Sequence, residues 1–125
     1  ENGEPITADS LSNAYYELDK KYYGDAVEHS DLIRYEWARI PHFYTSYYVY
    51  KYATGITTAV SIANNILSQG EKYFEKYKKF LSAGGSLPPL DIIRLADVDL
   101  ETDAPYKTAM KEFADTLDEL EKSFE

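Results

Sequence analysis

The stretch RIPHFYTSYYVYKYATG, residues 39–55, holds five of the chain's thirteen tyrosines and one of its two histidines, directly after a proline. Tyrosine is neutral near pH 7, and its hydroxyl donates one hydrogen bond. Histidine titrates near neutrality and both donates and accepts. Together such side chains could form a row of hydrogen-bonding groups aimed at something bound. At about 100° per residue, Phe43, Tyr47 and Tyr50 would share one helical face, and Tyr44, Tyr48 and Tyr52 an adjacent one. A core seam ordinarily uses Leu, Ile or Phe, because a buried phenol must find a partner for its hydroxyl. Spacing alone leaves two readings open: a polar network inside a helical core, or the wall of a cleft.

Other chemistries find less support. Zinc peptidases place two histidines one helical turn apart with a glutamate between them, H-E-x-x-H. This chain has only His29 and His42, and no cysteine, so no complete zinc site can be built from it. The flanks of His29, in EHSD, are polar and lack ligand spacing, which reads as a plain surface histidine. There is no G-x-S-x-G for a serine nucleophile. The AGGS at 83–86 is too short for a phosphate-binding loop and lacks its lysine, so it reads as a helix end followed by a turn. Asp97 and Asp99 read as solvated loop carboxylates, and the acidic residues of the last helix as a solvated face.

The elements that must position these residues are helical. Thr7 caps a helix from about Ala8 to Tyr23, ended by Gly24, with Leu11, Tyr15, Leu18 and Tyr22 on one face. A shorter helix begins near Ser30 or Asp31 and carries Ile33, Trp37 and Ala38. Pro41 makes Ile40 to His42 a kink or a fresh start. From Phe43 to about Ser68 apolar residues cover most of the circumference, which predicts a central helix buried on several sides. Helices follow over Glu71–Ala83, with Tyr73, Phe74, Tyr77, Phe80 and Leu81 inward, and over about Pro89–Ala96. A last helix starts near Asp103 or Ala104, with a stripe of Tyr106, Met110, Phe113, Leu117, Leu120 and Phe124. The expectation is an all-α fold of about six helices, residues 1–125 forming a single helical segment.

Composition narrows the partners. Of 125 residues, 44% are apolar and the formal net charge is −9. So negative a surface repels phosphate backbones and anionic lipid, so neither nucleic acid nor membrane is expected. No apolar run approaches the roughly 18 residues that span a bilayer. The absence of cysteine permits a reducing compartment. The opening ENGEP reads like the interior of a longer chain.

The tyrosine stretch resembles the C-terminal catalytic-domain segment of the oligoendopeptidase F family, zinc peptidases related to thimet oligopeptidase. GEPITADSLSNAYYELDKKYYG and YEWARIPHFY are similar to the family's upstream stretches. FLSAGGSLPPLDIIRLADVDLETDAPY is similar to its closing AGGS…P…LL…AGVD pattern. Asp97 stands where that pattern has glycine, which predicts a local change of turn. The resemblance covers nearly the whole chain and implies its C-terminal place in a larger helical peptidase domain. The family's H-E-x-x-H and later glutamate ligand do not occur here.

What the resemblance implies is specific. The full-length protein would be a cytoplasmic zinc endopeptidase acting on short peptides, and this chain alone would bind no zinc and be inactive. His42, Tyr48 and Tyr50 would donate to the carbonyl oxygen of the scissile bond, with Tyr44 and Tyr47 contacting the peptide. The rest of the peptidase domain would be a partner, and the isolated chain would pair as a homodimer through its central helix. The alternative is a non-catalytic helical interaction module with a tyrosine-lined groove for a peptide.

Overall fold

A computed structural model describes residue 3 and residues 5–125, so the reading of ENGEP falls mostly outside the described residues. The chain divides into two units, residues 1–49 and 50–125. Five α-helices and three 3₁₀ segments are present, with no strand among the described residues. The expected all-α class and helix number hold, the nine-residue 3₁₀ segment standing as the sixth helix.

In the first unit, α1 spans Ala8–Tyr23. The Thr7 hydroxyl accepts from the Ser10 amide at 3.1 Å, and Ser10 Oγ accepts from the Thr7 amide at 2.9 Å. This reciprocal cap satisfies two amides that the first helical turn leaves free. The 3₁₀ segment Asp31–Arg39 packs against α1. In 3₁₀ geometry side chains three apart eclipse. The ion pairs of this segment, Asp31–Arg34 at 2.9 Å and Glu36–Arg39, both have that spacing. Trp37 Nε1 donates to buried Ser12 Oγ at 3.0 Å, which fixes the segment on α1. A second 3₁₀ turn, Pro41–Tyr44, follows.

The second unit contains α2 (Tyr50–Gln69), α3 (Glu71–Ala83), α4 (Pro89–Arg94) and α5 (Ala104–Lys122). Its core is Ile62, Tyr73, Ala96 and Val98, with Ile66, Tyr77, Phe80, Ile93 and Leu100 packed against it. The AGGS reading holds: α3 stops at Gly84, whose φ of 52° suits a residue without Cβ.

The expectations for α2 and α3 are corrected. The central helix begins at Tyr50 rather than Phe43. Its buried face is Thr57, Thr58, Ser61 and Ile62, while Ile56 and Leu67 are exposed. Polar residues can occupy that face because Thr58 and Ser61 donate to the carbonyls of Thr54 and Thr57, each at 2.8 Å. On α3, Tyr73 is inward but Phe74 and Leu81 are exposed. The whole apolar stripe of α5 is exposed too, and its buried residues are Pro105 and Ala109.

Candidate functional site

The tyrosine stretch is irregular where the sequence alone predicts helix. Pro41 starts a short turn, closed by the Thr45 amide on the His42 carbonyl at 3.3 Å. Thr45 is extended, and Tyr47 has a φ of 55°. Left-handed backbone costs a non-glycine residue energy and clusters at functional sites. Phe43, Tyr44, Thr45, Ser46, Tyr47, Tyr48 and Val49 all belong to the weaker half of the helix scale, so little is lost by leaving the helix there.

This path brings His42 and Tyr48 together. Their rings stack with centroids 5.3 Å apart and planes 26° from parallel. His42 is exposed and Tyr48 half-buried. Tyr47 is 84% exposed. Tyr44 is exposed also, but its hydroxyl donates to the Ala38 carbonyl at 2.8 Å. Its proton is therefore committed to the fold, which leaves a ring face and an acceptor oxygen exposed. Tyr50 lies in the second unit as the first residue of α2 and is exposed.

Beside this stretch the first unit carries a groove of about 650 Å³. Leu11, Tyr15, Leu18 and Tyr22 line it from α1, so the face read from the sequence exists, but as a groove wall. Phe43 closes it edge-on to Tyr15, ring centroids 6.4 Å apart.

His29 is corrected from a plain surface residue to a half-buried tie. Its Nδ1 lies 2.6 Å from Asp19 Oδ2 and its Nε2 lies 2.7 Å from the Gly24 carbonyl. Both partners only accept, so both nitrogens must carry protons to satisfy them. The Asp19 hydrogen bond first, and the Gly24 carbonyl second, raise the imidazole pKa above its ordinary value. The sequence signal was weak, because the pairing of residues 19 and 29 depends on how the loop after α1 folds back.

A second missed residue is Arg94. It donates to Asp91 at 2.9 Å, to Asp99 at 3.2 Å and to Glu101. Asp99 also accepts from the Glu101 amide at 3.0 Å, and this bond, then Arg94, holds its carboxyl below the usual range. Asp97 has a φ of 55° and pairs with Lys76. Its backbone is left-handed, a conformation that glycine adopts without strain.

Among the described residues no group of three or more His, Cys, Asp or Glu is placed to hold a metal ion. His29, one of the chain's two histidines, is engaged by Asp19 and the Gly24 carbonyl. No helix of the described residues is long and apolar enough to cross a membrane.

The described residues are thus all-α and irregular, with a left-handed residue, across the tyrosine stretch. Residues 1–112 match the model of Peptidase family M3, and the chain belongs to that family. Over 122 residues, 98% of the chain, it is 44% identical to oligopeptidase PepF of Bacillus subtilis (strain 168) and covers 18% of that protein. It is 42% identical over 123 residues to the plasmid oligoendopeptidase F of Lactococcus lactis subsp. cremoris, covering 98% of the chain and 20% of the relative. Group B oligopeptidase PepB of Streptococcus agalactiae serotype III (strain NEM316) is 42% identical over 121 residues, 97% of the chain and 20% of its own length. The chain thus spans about a fifth of the length of these curated relatives. No solved structure matches it.

Proposed function

We propose that this chain is the cleft-lining C-terminal segment of a metallo-oligopeptidase that hydrolyses short peptides, and that residues 42–50 supply its hydrogen-bond donors. The observation that carries the reading is the stacked His42–Tyr48 pair on a loop strained at Tyr47, in a chain of a peptidase family. When an amide bond is attacked, its carbonyl oxygen gains negative charge, and fixed donors stabilise that charge more than the ground state. His42, Tyr48 and Tyr50 are the proposed donors. Tyr47, with its ring in solvent, and Tyr44, with its hydroxyl already bonded to Ala38, are proposed to line the peptide's path. Stacking on Tyr48 limits rotation of the His42 ring and so helps to aim it.

Zinc belongs to the full-length enzyme in this reading, on residues outside this chain, and the rest of the peptidase domain is the segment's partner. The isolated chain is expected to show neither micromolar zinc affinity nor peptidase activity, and tight one-to-one zinc binding in calorimetry would contradict this. A cytoplasmic location is part of the reading and is tested by cell fractionation.

The central test is Tyr48→Phe with Tyr50→Phe in the protein that carries this segment. Each donor contributes roughly 3 kcal/mol, about a hundredfold, to the transition state. The expected result is a fall in kcat larger than any rise in KM. An unchanged kcat would remove the donor role.

A further inference from the structure

The exposed stripe of α5 has a particular period. Tyr106, Met110, Phe113, Leu117, Leu120 and Phe124 recur at alternating steps of four and three residues. That average of 3.5 is the period of a coiled-coil seam. All six side chains are exposed, from 39% at Tyr106 to 83% at Phe124. The positions beside the seam hold Lys107, Ala114 and Glu121 on one flank and Ala109, Thr116 and Ser123 on the other.

We propose that α5 pairs with the α5 of a second copy of this chain, as an antiparallel, two-fold symmetric coiled coil centred on Asp115. In that register Tyr106 meets Phe124 of the second copy, Met110 meets Leu120 and Phe113 meets Leu117, each twice by symmetry. Every seam side chain is thereby matched. The same register sets Lys107 opposite Glu121, Ala114 opposite Ala114 and Thr116 opposite Thr116, so no like charges face each other. Charge decides the orientation, because a parallel pair would set Ala109 against Ala114 and Thr116 against Glu121, with no ion pair. Lys107 is tied to Asp103 at 2.5 Å in its own helix, but its side chain is 76% exposed, so a second carboxylate can approach it from solvent. The small exposed flanking residues Ala114, Thr116 and Ser123 let the two helices come close, Ala109 being buried against the chain's own core. On α2, the contact surface expected from the sequence, only the alanines Ala59 and Ala63 continue the exposed side between Ile56 and Leu67. The larger apolar surface is on α5. The inference does not depend on the peptidase reading.

Sedimentation velocity of this chain over a concentration series tests the pairing. A dimer is expected. Lys107→Glu should raise its dissociation constant roughly two- to thirtyfold, since two exposed ion pairs are lost. Combining Lys107→Glu with Glu121→Lys should restore it. Phe113→Asp, at an exposed position, should leave a monomer, and Leu117→Asp provides the same readout if circular dichroism shows that the first variant has lost helix. A chain that stays monomeric at high concentration and moderate salt overturns the proposal. So does a dimer indifferent to these substitutions, or an α5 seam protected from exchange only when the remainder of a longer peptidase is added.

Discussion

Replacing Tyr73 with phenylalanine removes one oxygen from the centre of the second unit. Tyr73 and Ala96 are both fully buried, and the phenol donates to the Ala96 carbonyl. That bond ties α3 to the turn after α4, between Ile93 and Val98 of the same core. Phenylalanine keeps the ring and its packing but leaves a buried carbonyl without this donor. The cost of such an orphaned acceptor is about 1–3 kcal/mol. For a unit of this size each kcal/mol lowers the unfolding midpoint by roughly 4–8 °C. Thermal unfolding followed by circular dichroism is the assay. Tyr47→Phe, at a side chain 84% exposed, is the control and should change stability by less than about 0.5 kcal/mol. A Tyr73→Phe protein as stable as the unchanged chain would refute the reasoning. Alkaline titration adds a second check. Burial raises the Tyr73 pKa above its ordinary value, so above a pH of about 10 the unfolded chain releases this proton more readily than the folded one. The stability from keeping Tyr73 neutral is complete below that pH and is lost as pH rises through the folded value. Tyr73→Phe should abolish that part of the alkaline slope.

Three further outcomes are expected. The raised His29 pKa means that its contribution to the first unit is fully present below the ordinary histidine value and is lost as pH rises through the folded one. Thermal melts from pH 6 upward should show the loss, and His29→Ala should flatten it. Asp97→Gly should change stability by less than about 1 kcal/mol, because relief of the left-handed backbone offsets loss of the Lys76 pair and a more flexible unfolded chain. Asp97→Val should destabilise by roughly 1–3 kcal/mol in chemical denaturation. Arg94→Ala should move the Asp99 carboxyl only partway back toward its ordinary range in an NMR titration, because the Glu101 amide still donates to it. The stability held by that ionised carboxyl is present above the ordinary value and is lost as pH falls through the folded one.

Local signals carried the regular elements. Thr7 and Gly24 bound α1, and Gly70 and Gly84 bracket α3, because caps and stops act over a few residues and need no tertiary context. The heptad stripe of α5 was legible too, but its burial was not, since periodicity reports which side chains share a face and not what lies opposite. The face of α2 was misjudged for a different reason. Thr57, Thr58 and Ser61 look polar by type, yet Thr58 and Ser61 return their hydroxyl protons to their own helix and go inward. The His29–Asp19 pair and the contacts of Arg94 with Asp99 and Glu101 were missed because these partners lie across loops whose path no propensity fixes.

The candidate site was readable in residue type and not in shape, and the difference bears on function. A straight helix from Phe43 would have spread its phenols around a cylinder, with consecutive tyrosines about 100° apart. Such an arrangement sends Tyr47 and Tyr48 to different faces and cannot bring many hydroxyls near one point. The observed turn at Pro41, the extended Thr45 and the left-handed Tyr47 break that geometry and let His42 lie against Tyr48. Helical order resumes only at Tyr50, after the strained residue. Residues of weak helix propensity make this break inexpensive, and the proline makes it local. The same composition that looks like a poor core seam is therefore well suited to a short irregular loop. Any activity of residues 42–50 must then be sensitive to backbone changes at Tyr47 as well as to loss of individual hydroxyls.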